Sequence, residues 1–325
     1  MSLLKVVVSD FLFEDLQPEI DALAGVAEVS AMARYPGAAE FLARASDADG
    51  ILCQMAPLDR EVMQGLRKCR VIVRYGVGVD NLDVAGATEA GIAVCNVPDY
   101  CTDDVADHTL TLMLGLVRKL PASIDQLKRG GWGHPEIRPI RRLASLTLGC
   151  FGFGRIARSV CARALAFGFK VVAYDPYVPD VVFQAAGVTP VDQETLLRTA
   201  DVITLHMPLT EDTRGLLSDE TLSQAKRGVL VVNTARGGLI DTPSLIRALD
   251  SGQVGGAALD VLDTEPIRPD HPLWQRPNVF MTGHLAWYSE EALRQLQRQV
   301  GEECARVLRG EEPRSCVNPE HRERQ

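Results

Sequence analysis

Residues Ser145–Pro176 read SLTLGCFGFGRIARSVCARALAFGFKVVAYDP, and this stretch decides the fold. Leu146–Phe151 is an apolar run as long as one buried strand. Gly152, Gly154 and Ala157 follow in G-x-G-x-x-A spacing, and a helical pattern continues to about Ala166. A second apolar run, Lys170–Tyr174, ends on Asp175. The pattern predicts a βαβ unit with an acid at the tip of its second strand. Gly152 permits the sharp turn, Gly154 lets a pyrophosphate approach the backbone, and the small Ala157 lets the helix lie against the strand. The amino end of that helix presents N–H groups to phosphate. Asp175, 21 residues beyond Gly154, is placed to accept hydrogen bonds from an adenosine ribose and to repel a 2′-phosphate. The expected cofactor is therefore NAD rather than NADP. A bare G-x-G-x-x-A is a weak signal; the two strands and the acid distinguish it from a glycine turn in another α/β fold.

Bulk properties agree with a folded α/β protein. The 325 residues, 46% hydrophobic and 24% charged, suit one large or two medium domains with real cores. A net charge of −9 argues against a nucleic-acid-binding surface or a basic membrane face. No apolar run is long enough to span a bilayer, and residues 1–25 carry no basic-then-apolar leader. The cysteines (Cys53, Cys69, Cys95, Cys101, Cys150, Cys161, Cys304, Cys316) are scattered without a C-x-x-C pair. They read as reduced thiols in a cytoplasmic protein, with no disulfide framework and no metal site expected.

Outward from the central unit, strand patterns recur. Before it, they fall at Lys5–Ser9, Gly50–Gln54, Val71–Arg74 and Ile92–Cys95, with helical spacing at Asp15–Ala24, Ala38–Ala45 and Asp59–Leu66. This alternation predicts a small parallel α/β domain of its own. Asp103–Leu120 reads as a long apolar helix that Pro121 stops, and Ser123–Arg142 as a polar connection. After the central unit, strands are expected at Asp201–His206, Val229–Asn233, Gly256–Asp260 and Asn278–Thr282. Helices at Gln193–Thr199, Ser218–Ala225 and Thr242–Asp250 complete a doubly wound sheet, and Ser289–Arg309 forms a last amphipathic helix. The expected division is a discontinuous domain of residues 1–100 and 290–325, with the dinucleotide domain, 101–289, inserted into it. A cleft between two such domains is the usual place for a small substrate beside a cofactor.

Hydride transfer to a carbonyl needs a cation for the substrate, a proton donor for the forming alkoxide, and a group that holds the donor in its protonation state. Three residues after late strands qualify. Arg236, in NTARGGLID, can face an α-keto carboxylate with two parallel hydrogen bonds. The competing reading is a strand-end salt bridge. His284 follows the last strand and can titrate near neutrality, although a lone strand-end histidine is more often structural. Glu265, in the DTEP turn, can orient that imidazole. Together on successive strand ends they carry more weight than singly.

From about residue 50 onward the chain resembles the D-isomer-specific 2-hydroxyacid dehydrogenase family. The blocks that carry the likeness are LGCFGFGRIARSVCARALAFGFKVVAYDP, LVVNTARGGLIDTPSLIRAL, GGAALDVLDTEP and NVFMTGHLAWYSEEA. Within the family it is most similar to the C-terminal-binding protein branch, through VRYGVGVDNLDVAGATEAGIAVCNVPD, FGFKVVAYDPY, HLAWYSE and CVNPEH. The resemblance implies two Rossmann-like doubly wound parallel-sheet domains, the NAD domain inserted into a flavodoxin-like substrate domain. It also implies Arg236 as the substrate-carboxylate arginine, His284 as the acid-base group and Glu265 as its carboxylate partner. For NAD it implies Arg155 and Ile156 in the pyrophosphate loop, Asp175 on the ribose, and Asp260 near the nicotinamide amide. His206, Met207, Pro208 and Thr213 match the loop under the adenosine, and Thr234 and Ala235 the loop before the arginine. Val77 and Gly78 match the loop whose backbone grips the carboxylate. Thr102 matches a residue near the cofactor, with a helix N-cap as the equal alternative.

Two departures stand out. Most members carry Pro immediately before the histidine, where this chain has Gly283, and the third fingerprint glycine is Ala157. Trp287 matches a tryptophan of the C-terminal-binding protein branch whose face would line an apolar side-chain pocket; the alternative is a core or interface tryptophan. Arg74 is a further candidate for the substrate carboxylate, or else a partner for a surface acid. The function expected is reduction of a small 2-keto acid to a D-2-hydroxy acid, or the reverse, with NAD(H). The alternative is an NAD(H)-sensing interaction protein with little turnover, because fold alone does not separate the two. The family's pairing through its long helix and the following connection implies a twofold homodimer.

Overall fold

A computed structural model describes residues 3–135 and 137–324. Met1, Ser2, Glu136 and Gln325, which the expected domains and connection include, lie outside the described residues. The chain divides into two compact units, one running to Cys101 and resuming at Ser289, the other Thr102–Tyr288.

In the first unit β1 (Leu4–Val8), α1 (Gln17–Leu23), β2 (Ala27–Ala31), α2 (Ala38–Ala45), β3 (Gly50–Cys53), α3 (Arg60–Gly65), β4 (Val71–Arg74), α4 (Val84–Glu89) and β5 (Ala93–Cys95) alternate. The strands pair in parallel in the order β2-β1-β3-β4-β5, a flavodoxin-like arrangement. β3 and β5 are buried along their whole length, which is why they read as unbroken apolar runs rather than alternating ones. Asp59 and Asp83 start α3 and α4 by accepting the amide N–H of Val62 (3.0 Å) and Gly86 (2.8 Å). β2, AEVSA, has no counterpart in the expected strands; only Ala27 within it is buried, so its apolar signal is faint.

The second unit contains α5 (Thr102–Val117), α6 (Leu120–Lys128), β6 (Thr147–Phe151), α7 (Arg155–Ala166), β7 (Lys170–Tyr174), α8 (Asp180–Ala185) and β8 (Thr189–Pro190). It continues through α9 (Gln193–Thr199), β9 (Val202–Leu205), α10 (Asp219–Gln224), β10 (Val229–Asn233), α11 (Thr242–Ser251), β11 (Val254–Leu259) and β12 (Val279–Met281). The sheet order is β12-β11-β10-β9-β6-β7-β8, every pair parallel. Successive residues of each strand serve opposite faces. Val202 and Val232 join the core under α5 and α7, whereas Ile203 and Val231 join the core under α9 and α11. One expectation is corrected here. The helix from Asp103 ends at Val117, not Leu120, and Pro121 does not simply stop it. Lys119 adopts a left-handed φ of 53°, and Pro121 then sits in the first turn of α6, where its missing N–H costs nothing. The first part of the expected polar connection is therefore helical.

The chain returns to the first unit as α12 (Glu290–Leu308), started by Ser289, whose hydroxyl accepts the Ala292 N–H at 3.0 Å. α12 lies along α1, where the Gln297 amide donates to the Asp15 carbonyl (2.9 Å) and to the fully buried Glu19 carboxyl. Beyond it, the segment around Cys316 runs beside β5. Val317 N–H donates to Val94 O (2.8 Å) and Asn96 N–H to Ser315 O (3.3 Å). The buried Asn318 side chain accepts Val94 N–H (2.7 Å) and donates to Ile92 O (3.0 Å), continuing the pairing with an amide that imitates backbone.

Candidate active site

In the second unit the order of winding reverses between β9 and β6, and parallel sheets place ligands outside the strand carboxyl ends at such a point. The loops after β6 and β9 meet there. Gly152 has φ +89°, and a Cβ on it would lie 2.7 Å from the His206 carbonyl oxygen, so only glycine fits. Gly154 caps α7, and a Cβ there would meet nothing within 4 Å, leaving open ground beside the helix amino end. The first-turn amides, including those of Arg155 and Ile156, are beyond reach of intrahelical carbonyls. Asp175, at the end of β7, accepts Phe153 N–H (2.8 Å) through one oxygen and Tyr177 N–H (3.0 Å) through the other. Its carboxylate is thereby fixed at the rim of the glycine turn. An exposed helix start, open space at Gly154 and a fixed acid suit a dinucleotide pyrophosphate and ribose.

After β9, His206, Met207 and Pro208 lead into a turn closed by Thr213, whose hydroxyl donates to Pro208 O at 2.7 Å. The imidazole of His206 has Thr204 Oγ1 2.9 Å from its Nε2, and desolvation takes its pKa down to about 4. The ring is neutral at physiological pH. Thr102 opens α5.

After β10, Asn233 organises the chain, accepting Ala235 N–H (3.0 Å) and donating to Arg236 O (2.9 Å). Thr234 Oγ1 lies 2.8 Å from Thr109 Oγ1 of α5. Arg236 donates to Ala235 O at 2.7 Å. Gly237 follows because a Cβ there would fall 1.9 Å from the Leu262 carbonyl carbon, in the turn that carries Glu265.

Two strand ends then converge on one pair. Glu265 Oε2 is 2.6 Å from His284 Nδ1, while its Oε1 accepts Leu262 N–H at 2.9 Å. Burial raises the Glu265 pKa, but the hydrogen bonds from His284 and Leu262 and the charges of His284 and Arg236 outweigh it, leaving the carboxyl below its ordinary range. An ionised Glu265 holds a proton on Nδ1 and leaves Nε2 as the reactive nitrogen. His284 sits at φ +55°, uncommon for a residue other than glycine.

What holds that backbone is Asp260. Buried at 2% exposure, its carboxylate accepts Thr282 Oγ1 (2.5 Å), Leu285 N–H (3.0 Å) and Ala286 N–H (2.9 Å), and its carbonyl accepts His284 N–H (2.8 Å). His108 of α5, absent from the sequence-based site, completes the cluster with Nε2 3.0 Å from Thr282 Oγ1 and 3.6 Å from Asp260 Oδ1. Only its place as a polar residue in the apolar α5 pattern hints at this. Trp287, three residues on, packs edge-to-face on Tyr288 with ring centroids 5.5 Å apart.

The first unit holds the other candidates. Arg74 ends β4, and the loop after it contains Val77 and Gly78. Asn96 Nδ2 donates to Val77 O at 2.5 Å, and Val97 N–H to Gly76 O at 3.0 Å, pinning this loop to the end of β5. Among the described residues no group of three His, Cys, Asp or Glu side chains is placed to hold a metal ion, and no helix is long and apolar enough to cross a membrane.

Residues 110–286, more than half of the chain, match the family described as D-isomer specific 2-hydroxyacid dehydrogenase, NAD binding domain. A D-3-phosphoglycerate dehydrogenase of Methanocaldococcus jannaschii is 40% identical over 318 residues, 97% of this chain and 60% of the relative; the chain thus spans about three fifths of its length. A glyoxylate reductase from Paecilomyes thermophila superposes with a TM-score of 0.88 at 29% identity, covering 98% of this chain and 99% of the other. A D-lactate dehydrogenase from Aquifex aeolicus, complexed with NAD and lactic acid, gives a TM-score of 0.84 at 28% identity over 94% and 96% of the two chains. By sequence and by fold, this chain belongs to the D-isomer-specific 2-hydroxyacid dehydrogenase family, with NAD as its cofactor.

Proposed function

We propose that the chain catalyses the NAD(H)-dependent interconversion of a small 2-keto acid and its D-2-hydroxy acid. The observation that carries this reading is the 2.6 Å contact between His284 and an ionised Glu265, with the Arg236 charge acting on the same carboxylate. Gly152, Gly154, Arg155 and Ile156 hold the NAD pyrophosphate, Asp175 the adenosine ribose, and the His206–Pro208 loop with Thr213 the adenine side. Thr102, Thr234, Ala235 and Asp260 would hold its nicotinamide end. Bound NADH supplies the hydride. Arg236 binds the substrate carboxylate with its paired N–H groups, assisted by the Val77–Gly78 backbone and by Arg74. His284 delivers a proton from Nε2 to the carbonyl oxygen, and Glu265 stabilises the imidazolium and fixes its tautomer. Trp287 lines the side-chain pocket and favours apolar or thioether-bearing acids.

We assign a homodimer to the α6 face, where Leu120, Ile124 and Leu127 are 54%, 45% and 50% exposed, with Trp132 beyond it at 86%. Eight free cysteines accord with a cytoplasmic protein.

The test is steady-state NADH oxidation with glyoxylate, hydroxypyruvate, phenylpyruvate and 4-methylthio-2-oxobutyrate. Turnover on at least one acid is expected, and His284→Ala should lower kcat by about 100-fold or more. Unchanged turnover in that variant removes His284 from its role. NADH binding with no turnover on any acid, joined to NADH-dependent capture of a peptide partner, replaces the enzyme by an interaction protein.

A further inference from the structure

Cys95 and Cys316 face each other as an isolated antiparallel bridge between β5 and the carboxyl-terminal segment. The backbone bonds flank them, Asn96 to Ser315 on one side and Val317 to Val94 on the other. The two cysteines are therefore a non-hydrogen-bonded pair, the narrow kind, with Cα atoms about 4.5 Å apart and side chains on one face. That lies within the roughly 4.4–6.8 Å over which a disulfide closes without moving the backbone.

The two sulfurs differ in character. Cys95 is fully buried, whereas Cys316 is partly exposed, with Asn318 Oδ1 at 3.6 Å and His321 Nδ1 at 3.8 Å from its sulfur. The hydrogen bond from the Cys95 thiol, the Asn318 backbone and the nearby His321 together hold Cys316 below the ordinary thiol range despite partial burial. The same contact and burial push Cys95 up. This is the arrangement of an attacking thiolate with a resolving thiol behind it. Cys150 and Cys161 also neighbour each other, but both are wholly buried, out of an oxidant's reach.

We propose that Cys95 and Cys316 are a reversible dithiol–disulfide pair, oxidised by hydroperoxides, that clamps the carboxyl-terminal segment onto β5. The Cys316 thiolate attacks the peroxide O–O bond, forming a sulfenic acid and releasing the other oxygen, protonated, as water or alcohol. The Cys95 thiol then displaces hydroxide from that sulfur, which leaves as a second water with the Cys95 proton, and the S–S bond forms. The two thiols are oxidised and the peroxide is reduced. The clamp adjoins Asn96, which accepts Ser315 Oγ at 2.5 Å and donates to Val77 O. Any effect on the keto-acid KM rests on the role proposed above for the Val77–Gly78 loop; formation of the disulfide does not.

The experiment treats the reduced full chain with hydrogen peroxide, blocks remaining thiols and maps peptides by mass. The expected product is a Cys95–Cys316 linked peptide, two hydrogens lighter, reversed by dithiothreitol and missing in Cys316→Ser. Amide exchange over Arg314–Asn318 should slow by about tenfold in the oxidised protein. Cys95→Ala takes a sulfur out of the core, so its folding is checked by circular dichroism; Cys316→Ser carries the test should it fail. Cys316 driven to sulfinic acid while Cys95 stays reduced, or an unchanged thiol count, overturns the proposal. A linked peptide with unchanged kinetics leaves the disulfide standing and removes only its tie to the substrate loop.

Discussion

Replacing Asp260 by Asn isolates what its buried carboxylate does. Asp260 offers two acceptor oxygens to three donors, Thr282 Oγ1, Leu285 N–H and Ala286 N–H. Asn keeps the shape but has one oxygen, so at best the Thr282 and Leu285 bonds survive and the Ala286 N–H faces an amide NH2. Ala286 is 4% exposed, so water does not replace the lost bond. A stranded buried donor costs about 1–3 kcal/mol, and the loss of charge assistance in the surviving bonds adds about 1 kcal/mol. The second unit should therefore unfold with a stability lower by about 2–4 kcal/mol, read from its denaturant midpoint. The same turn keeps His284 at φ +55° and receives its N–H on the Asp260 carbonyl. Loosening it misaims the imidazole, and kcat should fall by about 10–100-fold, while KM for NADH moves less. An unchanged midpoint together with a rise in KM for NADH alone would refute this reasoning and give Asp260 a purely cofactor-binding role.

Asp175→Asn preserves an acceptor for Phe153 N–H and removes the charge, so the preference for NADH over NADPH, measured as the ratio of kcat/KM values, should fall by about tenfold. An unchanged ratio would assign cofactor choice elsewhere. Arg236→Lys keeps the charge but loses the paired donors, and kcat/KM for the keto acid should drop by about 10–100-fold, with NADH affinity, read by fluorescence titration, nearly intact. Because the folded Glu265 carboxyl lies below its ordinary range, the unfolded chain takes up the proton first as pH falls. The stability that Glu265 contributes is full above the ordinary carboxylate range and disappears as pH falls through the lowered folded value. Unfolding midpoints of wild type and Glu265→Gln should thus converge in acid and separate near neutrality; parallel profiles would contradict the ion pair.

The strands that the sequence made legible are those buried on both faces. Val71–Arg74 and Val229–Asn233 are observed with the expected bounds because parallel strands under helices keep no polar side to blur them. Where burial is partial the signal fades. β2 buries one residue and β8 spans only Thr189–Pro190, and neither leaves a strand pattern in the sequence. Pro121 misled for a different reason: the same residue that ends one helix also fits the first turn of the next, and sequence pattern does not separate these uses. The positions of Arg236, Glu265 and His284 on successive strand ends followed from periodicity. Their supports did not, since Asp260 binds residues 22–26 positions away and His108 reaches Thr282 across 174. Such contacts depend on how helices settle on a sheet, which no local spacing encodes.

The segment beside β5 has a consequence for solubility. β5 is the last strand of its sheet, with β4 on one side only, and without Val317, Ser315 and the Asn318 amide its free backbone groups would lie open. An unpaired, wholly apolar strand margin is a template for a second chain. Removing residues from Arg314 onward should therefore favour self-association through intermolecular β-pairing along β5, in addition to the stability lost with the buried Asn318 and His321.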